Sequence, residues 1–131
     1  MNKLICVDIS LIATLLVYIF GGFDVALISL LTVIVIDYIT GLLKASKNRN
    51  LSSKIGFKGI KKKIGILCLV ALSVAIDRVA GDSGLIRTVI IYYFVGNEGL
   101  SIIENLGEIG VSIPNGLRER LEQLKDNGEK K

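Results

Sequence analysis

Four ionisable residues lie inside stretches of this sequence that are otherwise apolar: Asp37, Asp77, Arg87 and Glu98. Carboxylates and guanidinium groups can form ion pairs, carry protons or line a path for water and ions. Each is costly to hold in an apolar environment, so such groups usually face an opposite charge or water. The chemistry that these residues support therefore depends on which partners they meet.

Asp77 and Arg87 stand on either side of a short glycine-containing turn at residues 81–84. If helices flank this turn, both side chains lie near the same end of a helical hairpin. We predict that they form an ion pair at the outer face of a membrane, and a direct functional role is the alternative.

Asp37 and Glu98 lie deeper, in the inner half of their apolar stretches, and neither has an obvious basic partner at its depth. One interpretation is that they form hydrogen bonds inside a helix bundle, with Thr40, Tyr38, Asn97 or a backbone carbonyl as the partner. The other is that Asp37, Thr40, Asn97 and Glu98 line a water-filled lumen once several copies assemble. The sequence leaves both interpretations open.

The remaining residues give no support to enzyme chemistry. The chain has no histidine, which excludes imidazole as a catalytic base or metal ligand. Cys6 and Cys68 lie in apolar runs without CxxC spacing, so we interpret them as small apolar residues. The glycines at positions 56 and 59 lack the spacing of a phosphate loop. We predict no enzyme, no cofactor and no metal site.

The elements that must position the four ionisable residues are apolar segments of membrane-spanning length. The 131-residue chain is 51% hydrophobic and has a mean hydropathy of +0.61, more apolar than a soluble domain of this size can cover. Segments of about 20 residues are needed to cross a bilayer as helices. Four segments approach that length: residues 4–20, 25–43, 64–80 and 85–103. The predicted fold is an all-α integral membrane protein of two helical hairpins.

A strongly basic segment joins the two predicted hairpins and indicates their orientation. Residues 44–63 contain eight Lys or Arg and no acid, whereas the whole chain has a net charge of +4. Basic loops stay on the cytoplasmic side of a membrane, so both chain ends are predicted to be cytoplasmic as well. We expect anionic lipid headgroups as partners of this loop, and no nucleic acid. The predicted headgroup contacts are Lys54, Lys58, Lys61, Lys62 and Lys63.

The two ends of the chain carry weaker signals. The first segment is short and contains Asp8, so a cleaved signal peptide or partial insertion is the alternative to a full span. Residues 114–131 form a charged tail in which Leu117, Leu121 and Leu124 share one helical stripe. We divide the chain into a membrane domain, residues 1–113, and a cytoplasmic tail with a short amphipathic helix that lies on the membrane or pairs with a neighbouring tail.

Small residues recur at helical spacing in the third and fourth segments. Such positions allow the backbone of another helix to approach closely, within one chain or between copies. The predicted helix-contact residues are Gly65, Cys68, Ala71 and Ala75 in the third segment, with Gly96 and Gly99 in the fourth.

Three blocks occur in order along the chain: residues 37–45 (DYITGLLKA), 51–63 (LSSKIGFKGIKKK) and 97–105 (NEGLSIIEN), the last continued by residues 110–114. Together they resemble the toxin-secretion and phage-lysis holin family of Gram-positive phages and clostridial toxin loci. The resemblance covers residues 37–124 and implies a holin, which oligomerises in the host cytoplasmic membrane and forms holes. An endolysin or a toxin would be the cargo, released without stable binding.

Two other functions fit the same residues. A small ion channel or proton-coupled transporter would use Asp37 and Glu98 as ion or proton groups. A membrane anchor would recruit a partner through residues 114–131.

Overall fold

Capping residues and glycine turns bound the helices of this protein. The computed structural model describes residues 2–81 and 83–129, and the helices in this part are α1 (Lys3–Phe20), α2 (Val25–Lys47), α3 (Ser53–Ala80), α4 (Leu85–Glu108) and α5 (Asn115–Glu129), with no strands. Asp24 caps α2 by accepting from the Leu27 amide, and Ser52 caps α3 by accepting from the Ile55 amide. Gly21, at φ +79°, ends α1 in the left-handed conformation that glycine adopts freely. The all-α prediction is confirmed.

The basic segment predicted as a loop is mostly helical. α2 continues to Lys47 and α3 begins at Ser53, so only residues 48–52 connect them. The prediction of a loop over residues 44–63 was wrong in this respect, because lysine is a good helix former and Ser52 caps the start of α3. The other predicted helices agree with the structure to within a few residues at their ends.

The core lies among α2, α3 and α4. Leu27 and Leu30 of α2 pack with Ile66 and Val70 of α3 and with Ile91 of α4, and all five side chains are buried. α2 and α4 run parallel and α3 runs antiparallel to both, as required by contacts at both ends of the bundle. We call the end containing the α1–α2 and α3–α4 connections the turn end, and the end containing the α2–α3 connection the basic end.

The first helix, α1, stands apart from this core. None of its residues is buried, although most of them are apolar. It contacts α3, where the guanidinium of Arg78 lies 3.8 Å from the centre of the Tyr18 ring, and Phe20 at its end packs against the edge of the core. A helix with so much exposed apolar surface requires lipid or other protein around it.

Within the described residues, α1 and α2 have the length and apolarity of a membrane span. Four spanning helices were predicted, and the apolarity of the helices supports only these two. α3 is interrupted by Lys63, Asp77 and Arg78, and α4 carries Arg87 and Glu98. The apolar segments of α3 and α4 were recognised correctly as helices, but α3 and α4 as a whole are less apolar than α1 and α2.

The last helix, α5, folds back along α4 and forms the most extensive helix pair of the structure. The sequence predicted that this amphipathic helix lies on the membrane or pairs with a neighbouring tail. Instead, Leu121 and Lys125 of α5 contact Gly96 of α4 in the same chain. The leucine stripe predicts an apolar partner for α5 without specifying which one.

Candidate functional site

A buried polar cluster joins α2, α3 and α4 near the basic end. The ammonium of Lys63 donates hydrogen bonds to Asp37 Oδ2 and to Glu98 Oε2, the latter at 2.7 Å. The Asn105 amide donates to Asp37 Oδ1 at 3.2 Å and to the Thr40 hydroxyl at 3.0 Å. We call these five residues the buried cluster.

Helical spacing brings the buried cluster together. Asp37 and Thr40 are three residues apart on α2, and Glu98 and Asn105 are seven apart on α4, so each pair shares one helix face. The Thr40 hydroxyl also donates to the Asp37 carbonyl at 3.1 Å. Lys63 reaches the two acids from α3, so a single side chain links three helices.

One atom of the buried cluster has no partner. Glu98 is only 1% exposed, and its Oε1 is buried without a hydrogen bond. Two carboxylates facing one ammonium also give the cluster a formal charge of −1. A buried, unsatisfied carboxylate oxygen is unfavourable, so the cluster is held together by Lys63 and would be relieved by a proton, a cation or water at Oε1.

A cavity of about 210 Å³ opens beside the cluster. Asp37, Tyr38, Lys62, Ser101 and Asn105 are among the residues that line it. Its polar lining offers hydrogen-bond partners for water next to Asp37.

The turn end carries a second polar network, in which Asp77 caps α4 from outside that helix. The N-cap residue Gly84 provides no side-chain cap. The Asp77 carboxylate instead accepts from the backbone amides of Ile86 and Arg87, both at 2.9 Å. Asp77 thereby fixes the start of α4 against the end of α3.

The guanidinium of Arg87 binds the α1–α2 connection. It donates to both carboxylate oxygens of Asp24, at 2.8 and 3.0 Å, and to the carbonyls of Phe20 and Gly22. The hydrogen bonds from Arg87 hold the pKa of Asp24 at about 2, below its ordinary value of 3.8. The predicted ion pair between Asp77 and Arg87 was wrong in its acidic partner: Asp77 contacts the Arg87 backbone, and Asp24 pairs with its side chain. The two hairpins are therefore joined at the turn end.

Similarity to known proteins covers most of the chain and both polar networks. The model of the bacteriophage holin family matches residues 14–126. The chain belongs to the bacteriophage holin family. Membership agrees with the resemblance found in the sequence and, together with the apolar helices α1 and α2, identifies a membrane protein. It also indicates a non-enzymatic protein.

Individual relatives come from clostridia and from a phage. An uncharacterized protein of Clostridium perfringens is 40% identical over 124 residues, which cover 92% of both chains. An uncharacterized 14.9 kDa protein in the nagH 3′ region of the same species is 44% identical over 86% of both chains. The probable holin of Bacillus phage phi105 is 35% identical, covering 87% of this chain and 84% of its own. No solved structure matches this chain.

The structure changes the interpretation of Lys63 in this holin-family chain. The sequence assigned Lys63 to lipid headgroups and found no base for Asp37 or Glu98, and both statements were wrong. Lys63 is the first residue before an apolar run, so the side chain can turn either toward a headgroup or along the helix toward the core. Only the packing of α3 against α2 and α4 selects the second direction.

Several contributors to this region escaped the sequence analysis. Asn105 belongs to the buried cluster, and its spacing of seven from Glu98 is a signal that could have found it. Tyr38 covers two of the three glycines of α3, since a Cβ on Gly56 would lie 3.2 Å from its hydroxyl and one on Gly59 would lie 3.3 Å from its ring. Asn97, which was grouped with Asp37, is half-buried and forms no hydrogen bond with the cluster.

The small residues predicted to contact helices divide into two groups. Gly96 and Gly99 of α4 lie directly against α5. In α3, a Cβ on Gly65 would meet nothing within 4 Å, Cys68 and Ala75 are exposed and Ala71 is half-buried. The α3 stripe thus faces away from the bundle core, where a contact with another copy stays a prediction.

The remaining basic residues keep their predicted position on the surface. Lys54, Lys58, Lys61 and Lys62 are exposed along the first two turns and a half of α3. The Lys61 ammonium lies 4.9 Å from the centre of the Phe57 ring. Contact of these lysines with lipid headgroups stays a prediction.

Proposed function

We propose that this protein is a holin that oligomerises in the bacterial cytoplasmic membrane and forms holes through which an endolysin or a toxin leaves the cell. The observation that carries the proposal is the match of the holin family model over residues 14–126. The similarity to a phage protein described as a probable holin supports it. So does α1, an apolar helix in which no residue is buried within a single chain.

The proposed topology has four crossings with both chain ends in the cytoplasm. The supporting argument is the alignment of α3 and α4 with α2, which has the length and apolarity of a span. Arg87 of α4 lies level with Asp24 at one end of α2, and Glu108 contacts Lys44 at 3.3 Å at the other end. Helices aligned with a spanning helix over its whole length occupy the same depth, provided that the buried cluster shields their charges.

The basic residues orient this bundle and bind lipid in the proposal. Lys54, Lys58, Lys61 and Lys62 are exposed at the basic end, which the excess of positive charge assigns to the cytoplasm. Anionic headgroups at that surface attract each lysine by about 1 kcal/mol. The division into a membrane domain, residues 1–113, and a charged tail is part of the same proposal.

In the proposal, Asp37 and Glu98 are internally paired before the hole forms and face water within it. The Lys63 ion pairs shield both acids in the single chain, while Glu98 Oε1 still lacks a partner. Water in an assembled hole would hydrate that oxygen, so assembly would relieve an unfavourable group. In this proposal, the interpretation as hydrogen-bonded groups describes the bundle before assembly, and the interpretation as lumen-lining groups describes the hole.

Controlled expression with an endolysin tests the proposal. In a bacterium that co-expresses an endolysin, induction is expected to give an abrupt loss of membrane potential followed by lysis. Asp37→Ala and Glu98→Ala are expected to change the onset time, whereas Glu104→Ala, at an exposed acid of the same helix α4, is the matched control. No depolarisation at full membrane expression would contradict the holin function, and unchanged onset in both test variants would remove the role of the buried acids.

The buried cluster favours one alternative, a small channel or proton-coupled transporter. Ionisable groups buried within membrane helices are typical of ion and proton pathways. Purified protein in liposomes separates the two functions, since a transporter gives selective flux of small ions and a holin also releases an entrapped protein.

A further inference from the structure

The contact between α5 and α4 is formed by glycine backbones. A Cβ built on Gly96 would lie 2.6 Å from both the Leu121 carbonyl oxygen and the Lys125 amide nitrogen. One built on Gly99 would lie 2.5 Å from a methyl carbon of Leu121. At Gly96 the close atoms belong to the α5 backbone, so no side chain larger than hydrogen fits there, and at Gly99 the Leu121 side chain would have to shift.

The same geometry recurs at the far end of α5. A Cβ built on Gly128 would lie 2.6 Å from the Cβ of Tyr93, and the Lys125 ammonium lies 5.9 Å from the centre of the Tyr93 ring. α5 therefore runs antiparallel to α4 and covers it from Gly99 back to Tyr93. We call these contacts the α4–α5 contact.

The charge of α5 makes this position incompatible with lipid around the contact. By sequence, α5 carries seven charged residues: Arg118, Glu119, Arg120, Glu122, Lys125, Asp126 and Glu129. The stretch of α4 that it covers begins about 9 Å and ends about 18 Å along the helix from Arg87. That depth is the middle of a hydrocarbon core of about 30 Å, where each charged side chain costs at least about 2.5 kcal/mol.

We propose that α5 is an intramolecular latch that covers the Gly96–Gly99 face of α4 and must leave before that face can contact a second copy of this chain. The proposal rests on the proposed function, because it assumes that α4 enters the membrane. Copies inserted in one orientation present Gly96 and Gly99 at the same depth, so the uncovered faces of two α4 helices can pack together. Latch closure therefore keeps this face of α4 out of the hydrocarbon core, and it covers the surface that self-assembly needs.

The connection to α5 allows the latch to open without disturbing the bundle. Glu108, at the end of α4, is held by Lys44 and by the Lys47 ammonium, which donates to its carbonyl. Residues 109–114 lie beyond this anchor, and Gly110 has φ +98°. α5 can therefore move while α2 and α4 stay paired.

Two glycine substitutions on α5 test the latch without altering the membrane helices. Gly128→Ala places a methyl group against Tyr93, and overpacking of this kind is expected to lower the docked population by about tenfold. Gly116→Ala is the matched control, because a Cβ there meets nothing within 4 Å. At equal membrane levels, Gly128→Ala should depolarise cells earlier and give more cross-linked dimers than the wild type, and Gly116→Ala should match the wild type.

A reversible lock tests the same contact in the opposite direction. Tyr93→Cys and Gly128→Cys, combined with Cys6→Ser and Cys68→Ser, place two thiols at the α4–α5 contact. A disulfide has a Cβ–Cβ distance of about 3.8 Å, so α5 must move outward by about 1 Å. Oxidised protein is expected to stay uncross-linked between copies and to leave liposomes sealed, and reduction should restore release of an entrapped protein.

The outcomes separate the latch from the holin function. Equal onset for Gly128→Ala and wild type, or equal release before and after reduction of the disulfide, would overturn the latch while leaving hole formation intact. If the wild type itself releases nothing from liposomes and does not depolarise cells, the proposed function is wrong, and the latch proposal is overturned with it.

Discussion

The polar networks at the two ends of the bundle are built on different principles. At the turn end, Asp77 binds two backbone amides, and Arg87 binds two backbone carbonyls together with Asp24. At the basic end, Lys63 alone neutralises Asp37 and Glu98, and one oxygen of Glu98 lacks a partner. The first network is anchored in the main chain, and the second depends on one ammonium group.

This difference assigns the two ends different mechanical roles. Backbone groups cannot rotate away, so the turn end holds α1, α2, α3 and α4 in a fixed arrangement. The buried cluster ties α2, α3 and α4 through flexible side chains, and its unsatisfied oxygen gains from any rearrangement that admits water. From this comparison we expect the bundle to stay closed at the turn end and to rearrange at the basic end.

The largest expected effect comes from removing the one shared cation. Lys63→Leu leaves two buried carboxylates without their base, and loss of one partner from a buried ion pair costs about 3–5 kcal/mol. Lys62→Leu is the matched control, because Lys62 is exposed beside it. Denaturant titration in detergent micelles measures the free energy of unfolding of each variant. Equal losses in the two variants would show that the buried cluster does not stabilise the bundle.

An intermediate effect is expected at the turn end from Arg87→Leu. Hydrogen bonds to a charged group contribute about 1.5–3 kcal/mol each, but the side chain of Asp24 is 51% exposed and regains water, so we expect a loss of about 2 kcal/mol. Arg87→Lys keeps the charge but not the fork that spans both Asp24 oxygens. Its free energy of unfolding should therefore fall between those of the wild type and Arg87→Leu. A larger loss here than in Lys63→Leu would reverse the comparison between the two ends.

The smallest expected effect is the contribution of Asp24, at the turn end, to the pH dependence of the unfolding free energy. Because the folded pKa of Asp24 is about 2 and its ordinary value is 3.8, the ionised form stabilises the fold. This contribution is fully present above about pH 4 and is lost as the pH falls toward 2. The difference in unfolding free energy between wild type and Asp24→Asn should therefore shrink over that interval. In an Arg87→Leu background this pH dependence should shrink to the part that the hydrogen bond from the Leu27 amide supplies, and an undiminished dependence would assign it to another group.

The fold was predictable to the extent that it depends on local signals. Glycine turns, the apolar runs and the proline before α5 marked the helices, because each acts within a few residues of the chain. The continuation of α2 and α3 through the basic segment was missed, since charge patterning predicts where a segment lies relative to a membrane and does not report its backbone conformation. Four spanning helices were predicted from length although the charges of α3 and α4 were recognised, and apolarity supports α1 and α2 alone among the described helices.

The sequence predicted which residues belong to the polar networks better than it predicted which of them pair with each other. Asp37, Asp77, Arg87 and Glu98 were singled out correctly as polar groups needing partners, since burial of an ionisable residue is visible in one apolar window. Their partners Lys63 and Asp24 lie 26 and 63 residues away along the chain from Asp37 and Arg87. A side chain as long as lysine or arginine can reach several alternatives at that level of the bundle.

By itself, the sequence determined that this chain is a helical membrane protein of the holin type, because hydrophobic runs, charge excess and family blocks are properties of consecutive residues. Only the tertiary structure decided that Lys63 joins two acids, that Arg87 holds the α1–α2 connection and that α5 covers the glycines of α4. Each of these contacts depends on which faces of separate helices meet. Helical periodicity defines the faces, and packing in three dimensions selects the pairs.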